Sequence, residues 1–276
     1  MARVSTTDLG DLWSQLGWQP DAGQLALFQH LQDQLRLWNG RLNLTRLVEG
    51  DDFWIAQVFD SLWPLVPLIN SPRGRGEQGP PLQLIDVGTG GGFPGLALAI
   101  ALPTAQLTLV DSVQRKVEAV RSMAAALDLG ARVSLQAERI EKLGQSSGYR
   151  GRFDWALARA VATAPVVAEY LVPLLRPTGR ALLYRGQWLP ADQIQLEDAA
   201  RQLRATVVDV ATCELPGGRG LRHALQLEPL APCPRTYPRP VGIPAKHPLG
   251  ATATEATAAT DAASAAPDQR GQPGQG

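Results

Sequence analysis

Cysteine, histidine and any excess of one charge are what this chain is short of. It has two cysteines, Cys213 and Cys233, with no Cys-x-x-Cys pair and no Cys/His group at ligand spacing. Structural zinc and a disulfide framework are therefore not expected, no metal is expected, and a reducing compartment is. The histidines are His30, His223 and His247, too scattered in sequence to suggest a His/Asp dyad. Lys+Arg and Asp+Glu both number 26, so the formal net charge is zero. A protein that coats nucleic acid by bulk charge carries a basic excess, so any contact with RNA here must use a local patch. Long apolar runs are missing too. The stretch from Gly95 to Leu102 is far shorter than the roughly 20 residues of a membrane helix. The first residues lack the apolar core of a signal peptide. A soluble, cytoplasmic protein without membrane association, working as a monomer, is the expectation.

What is present is an alternation of two periods. Leu9, Leu12, Trp13 and Leu16 repeat at helical spacing, with Thr7 or Asp8 available as a cap. Leu25, Phe28, Leu31, Leu35 and Trp38 form a second stripe that is expected to end near Asn39–Gly40. A third helix is predicted from about Asp52 to Leu68, with Asp60–Ser61 inside it, where a solvated face is as reasonable as a functional one. Residues 1–70 thus read as an N-terminal helical cap and 71–81 as a Pro/Gly linker. Residues 82–230 alternate short β-rich runs with helices, and two strand runs close the series without a clear helix between them. That predicts an α/β fold, a Rossmann-like and mostly parallel sheet with an antiparallel last strand. Residues 231–276 lose periodicity and read as a Pro/Ala-rich, largely disordered tail, basic at first and then neutral.

The strongest chemical signal is IDVGTGGGFPG, Ile85 to Gly95. An apolar strand runs into Asp86–Val87 and then into a turn containing Gly88, Gly90, Gly91 and Gly92. Such a loop lets a ligand approach the backbone at the C-terminal edge of a parallel sheet. Gly90, Gly92 and Gly95 also satisfy the dinucleotide pattern, and Asp111 follows at a suitable interval, so the loop alone leaves two readings open. It lacks the Gly-Lys-Ser/Thr of a nucleoside-triphosphate loop. Asp86, just ahead of the first loop glycine, favours a cationic ligand over a pyrophosphate on Coulombic grounds. Asp111 ends the next strand, where a carboxylate can accept both hydroxyls of a ribose.

With these residues in hand, the chain resembles the RsmG (GidB) family of bacterial methyltransferases. The resemblance runs from about Leu31 to Leu227. It rests on Trp38–Asn39, Asn43–Leu44–Thr45, Asp60–Ser61, the glycine loop, LVDS at Leu109 to Ser112, Arg139–Ile140–Glu141, Arg159–Ala160 and Arg185–Gly186–Gln187. It implies a class I methyltransferase that uses S-adenosylmethionine to methylate N7 of a guanine in 16S ribosomal RNA, with the RNA or the small ribosomal subunit as partner. It further implies that Gly88 and Phe93 line the donor pocket, that Asp111, Ser112 and Val113 bracket ribose and adenine, that Ile140 and Glu141 flank the adenine, and that Arg159 stands between donor and substrate. The chain departs from the family at Arg185–Gly186, where Lys-Gly is usual; a guanidinium and an ammonium differ in hydrogen-bond geometry.

Methyl transfer to N7 asks for alignment rather than proton removal, because that nitrogen carries a free lone pair. The base becomes cationic, so a carboxylate beside it favours the transition state, and Asp60 is the catalytic candidate. Arg36, Arg41 and Arg46, and separately Arg219, Arg222, Arg235, Arg239 and Lys246, are the candidate RNA contacts. Two other classes compete: an NAD-dependent oxidoreductase, and a non-catalytic nucleotide-binding module of ribosome assembly.

Overall fold

The computed structural model describes residues 8–250. The N-terminal helices begin where side-chain caps satisfy their first amides. In α1 (Leu9–Leu16) the Asp8 carboxylate accepts from the Gly10 amide at 2.7 Å. In α2 (Ala22–Leu42) Asp21 and Gln24 cap each other reciprocally. This second helix runs past the expected stop at Asn39–Gly40, and ends at Asn43, a residue type that tolerates the left-handed conformation found there. The expected third helix is broken instead. It consists of α3 (Gly50–Phe53), a π-helical stretch (Trp54–Phe59), α4 (Asp60–Leu62), a 3-10 turn (Trp63–Leu65) and α5 (Val66–Ile69). Pro64 and Pro67 each remove an amide from this run, and regular hydrogen bonding lapses around them.

The sheet has seven strands: β1 (Gln83–Val87), β2 (Gln106–Asp111), β3 (Val133–Ala137), β4 (Phe153–Arg159), β5 (Leu175–Arg185), β6 (Ala205–Glu214) and β7 (Leu221–Pro229). Their order is β3-β2-β1-β4-β5-β7-β6. The first five pair in parallel, and β7 runs antiparallel to both β5 and β6. Connecting helices are α6 (Gly95–Ala101), α7 (Gln114–Ala126), α8 (Ile140–Gln145), α9 (Ala164–Leu171) and α10 (Pro190–Gln202). The strand order reverses between β1 and β4. In open α/β sheets a crevice opens at such a point, beyond the carboxyl ends of the strands.

Alternation along the strands sorts side chains into two cores. Leu84, Leu107, Leu109, Leu157, Leu182 and Tyr184 join the core shared with the N-terminal helices, α6 and α7. Ile85, Ala156, Ala158, Ala181, Leu183 and Leu225 face the other core, with α9 and α10. The N-terminal helices therefore complete one side of the sheet. Phe28, Leu31 and Leu35 of α2 are fully buried there, each contributing about 1.5–3 kcal/mol relative to exposure. Between cap and sheet, the 71–81 segment is pinned by Arg73, whose Nη2 donates to Asp154 Oδ1 at 2.8 Å.

The tail reading needs a correction at its start. Residues 232–250 form an ordered strap across α8 and α9, including α11 (Ile243–Lys246), and Leu249 is buried in the second core. The strap has little periodic backbone bonding of its own, so side chains from the main domain satisfy it. Arg150 donates to the carbonyls of Cys233, Pro234 and Tyr237, and Gln145 to those of Arg235 and Pro238. Residues 251–276, the rest of the expected tail, lie outside the described residues.

Candidate active site

The loop after β1, the ends of β2 and β4, and the start of α8 surround a cavity of about 810 Å³ at the C-terminal edge of the sheet. Its floor is the glycine loop. The amides of Gly88 and Thr89 both donate to Val110 O, at 2.8 and 3.0 Å, so the loop is fastened to the end of β2. Gly88 has φ of +76°, and a Cβ there would stand 2.5 Å from Val161 Cγ2. Glycine is required at that position on both counts. At Gly90 the nearest atom to a built Cβ is the Gly88 carbonyl at 3.8 Å, so the chain passes the cavity with room above it.

The two acids beside the loop have separate jobs. Asp86 shares the parity of Leu84 and points under the loop, not into the cavity, whose lining does not include it. Its Oδ2 accepts from the Gly95 amide at 2.9 Å, at the start of α6. The expectation that Asp86 faces the ligand directly is thus corrected, since its carboxylate holds the turn from below. Burial pushes this carboxyl up to about 6, against the opposing effects of the Gly95 hydrogen bond and the Arg159 charge. Asp111 does line the cavity. Its oxygens accept from Gly90 N at 3.0 Å and Val113 N at 2.9 Å, which locks it between the loop and the start of α7.

At the opposite end the sheet meets the N-terminal helices through a chain of polar contacts. Asn39 Oδ1 accepts from the Thr45 amide, and the Thr45 hydroxyl accepts from Gln57 Nε2 at 3.1 Å. Gln57 Oε1 accepts in turn from Arg159. Arg159 Nη1 also donates to Asp60 Oδ2 at 3.1 Å and to Ala56 O at 3.3 Å. Asp60 and Ser61 are buried, against a solvated-face reading. Among the described residues Asp60 Oδ1 has no hydrogen-bond partner, and its ion-pair neighbour, Arg222 Nε, is 3.8 Å away. Tyr184 closes the back wall, its hydroxyl donating to Ser61 O at 2.7 Å. Arg185 donates to Ala162 O at 2.6 Å, and burial lowers its pKa.

Of the residues singled out from sequence, Gly88, Phe93, Asp111, Ser112, Ile140, Glu141, Arg159 and Asp60 all line this one cavity. Val113 does not; it is exposed, and it reaches the site only through its amide bond to Asp111. Glu141 lies at the α8 end, nearly fully buried. Burial pushes its carboxyl up, but bonds from Arg139 and the Gly242 amide outweigh that and leave it below its usual value. Gln57, Tyr184, Tyr170 and Ala245 also line the cavity and escaped sequence reasoning. Gln57 lies in the π-helical stretch, so its three-residue spacing from Asp60 does not mark a common α-helical face. The candidate RNA contacts divide. Arg36, Arg219 and Arg239 are engaged in ion pairs with Glu49, Asp52 and Glu169, and Arg41 covers the Trp38 ring.

The chain is similar to known proteins along most of its length. Residues 24–221 match the GidB family, rRNA small subunit methyltransferase G. The chain is 60% identical over 237 residues to a ribosomal RNA small subunit methyltransferase G of Synechococcus sp. (strain RCC307), covering 86% of this chain and 97% of that one. Against the protein of the same name in Prochlorococcus marinus (strain MIT 9313) it is 57% identical over 240 residues, covering 87% and 95%. An O-methyltransferase from Bacillus cereus, solved in complex with SAH, superposes with a TM-score of 0.50 at 14% identity, covering 72% of this chain and 90% of that one. That likeness speaks for the fold alone.

Proposed function

The chain belongs to the rRNA small subunit methyltransferase G family, and from that premise we propose that it transfers the methyl group of S-adenosylmethionine to N7 of a guanine in 16S ribosomal RNA. One observation carries the reading: a single cavity runs from Asp111 and Ile140, across the glycine loop, to Asp60 and Arg159. A pocket of about 810 Å³ is within the usual range of roughly 300–1,000 Å³ for small-molecule sites. The residues suit the donor. Asp111 is held rigidly where it can accept ribose hydroxyls, the loop leaves space at Gly90, and Ser112 with Ile140 and Glu141 bounds the adenine end. Asp60 Oδ1, buried at the other end and without a hydrogen bond among the described residues, fits an acceptor that brings hydrogen-bond donors or positive charge.

S-adenosylmethionine, when bound, supplies a methyl group already activated on a sulfonium. What remains for the protein is alignment, worth on the order of 7–11 kcal/mol in well-oriented systems. A guanine N7 carries a free lone pair and no proton, so no residue of this site would have to act as a general base. Asp60, with one oxygen fixed by Arg159, opposes the positive charge that grows on the base. The Arg159 guanidinium holds that carboxylate in place by direct donation.

Scanning fluorimetry with S-adenosylhomocysteine and with NAD separates this reading from an oxidoreductase. At 100 times its dissociation constant a ligand stabilises by about 2.7 kcal/mol. Stabilisation by NAD alone refutes the methyl donor. Incubation of tritiated donor with undermethylated 16S RNA or small subunits then tests the reaction, and labelling of one and not the other identifies the true substrate form.

A further inference from the structure

The strap lies beyond residues 24–221, over which the family model matches, yet it reaches the donor cavity. Ala245, in α11, is part of the lining, at the end occupied by Ile140, Glu141 and Tyr170. Two anchors hold it there. The Arg239 guanidinium and backbone amide make four contacts to the fully buried Glu169 carboxylate, at 2.6 to 3.1 Å. The Gly242 amide donates to Glu141 Oε1 at 3.0 Å. That same oxygen accepts from Arg139 at 2.8 Å, and the Tyr170 hydroxyl lies 3.4 Å from it. Arg139, Glu141 and Tyr170 all line the cavity. One carboxylate therefore joins the strap to the wall of the site.

We infer that residues 239–247 are a structural wall of the donor site, with Arg239 and Gly242 acting as positioning residues that set donor affinity through Glu141 and Glu169. This rests on the reading of the cavity as an S-adenosylmethionine site. Buried acids explain why the anchors matter. An unpaired carboxylate in this position would be costly, so Glu169, bonded by Arg239, favours the docked strap over a detached one, while Glu141 keeps its pair with Arg139 and loses only the Gly242 amide. The docked strap in turn fixes the rotamer of Glu141 and the position of the segment 138–141.

The test uses the full chain. Hydrogen–deuterium exchange of the wild type, with and without S-adenosylhomocysteine, is expected to show slowed exchange both in the glycine loop 88–93 and in residues 239–247. Protection of the loop without the strap overturns the inference. Protection of neither overturns the donor reading itself, so the two failures are distinguishable. Calorimetric titration of Arg239→Gln is expected to give a dissociation constant for S-adenosylhomocysteine about tenfold weaker, with Arg239→Lys between it and the wild type. A melting temperature that falls while that dissociation constant stays within about twofold of wild type assigns Arg239 to folding alone and refutes its positioning role.

Discussion

Arg159 at the end of β4 donates to Asp60 in the broken helical run of the cap, across 99 positions of sequence, with a distance of 3.1 Å. The pair joins the sheet to the N-terminal helices at the mouth of the cavity. Both side chains are largely buried, at 15% and 11% exposure. In such a setting, removing one partner leaves an uncompensated charge and commonly costs 3–5 kcal/mol, roughly the scale expected for Arg159→Ala.

Asp60→Asn keeps the shape and removes the charge. If the carboxylate opposes charge on the methylated base, single-turnover methylation should slow by about ten- to a hundredfold, a loss of about 1.4–2.7 kcal/mol in transition-state stabilisation. Binding of S-adenosylhomocysteine, measured by calorimetry, should stay within about twofold of wild type. An unchanged methylation rate removes Asp60 from the mechanism.

Much of this site was legible before any coordinates, because its elements are local. The glycine loop, Asp111 and Arg159 each end a strand run, and the parallel topology brings all strand ends to one edge. What sequence could not reveal was side-chain direction. Asp86 and Asp111 share one face of the sheet, with Leu84 and with Leu109, yet Asp86 lies one position inside the end of β1 and turns beneath α6, whereas Asp111, the last residue of β2, reaches the cavity. The burial of Asp60 was equally invisible, since the prolines and the π-helical stretch after Gly50 spoil the helical phase that would have marked a face. The strap was misread for a related reason. Its order comes from Arg150, Gln145 and Glu169 far away in sequence, not from a period of its own.

Asp86 predicts a pH dependence with a definite sign. Its folded value of about 6 lies above the ordinary 3.8, so between those values the folded state holds a proton that the unfolded state has lost. Its contribution to stability is fully present below about 4, declines as pH rises to about 6, and is flat beyond; the gap corresponds to about 3 kcal/mol. Asp86→Asn, which retains an acceptor for the Gly95 amide, should abolish that slope. Denaturant unfolding of both proteins at pH 4.5 to 7 checks this, and parallel curves would mean that Asp86 titrates normally.

Gly88→Asp should both strain the loop and block the cavity. The left-handed backbone and the 2.5 Å approach to Val161 Cγ2 mean that folding is affected as well as binding. The strained conformation alone should cost about 1–3 kcal/mol. Scanning fluorimetry should show a lowered melting temperature and no shift with S-adenosylhomocysteine. Adding Val161→Ala relieves the contact and should recover part of the stability without restoring the shift. A wild-type response from Gly88→Asp would disqualify the loop as the donor floor.

Arg46 offers the cleanest view of RNA contact. It is exposed beside Thr45, which lines the cavity, and no ion pair joins it among the described residues, whereas nearby Arg36 is consumed by Asp33 and Glu49. If it meets a phosphate, Arg46→Ala should weaken binding to 16S RNA fragments evenly across sequences and reduce the salt slope of log K by about one. Donor affinity should not move, because the side chain lies outside the lining. Fluorescence anisotropy at several salt concentrations measures the slope directly. A weakened affinity with an unchanged slope would point to an indirect effect through the Thr45–Gln57 contact, and an unaltered affinity would place the RNA on another face.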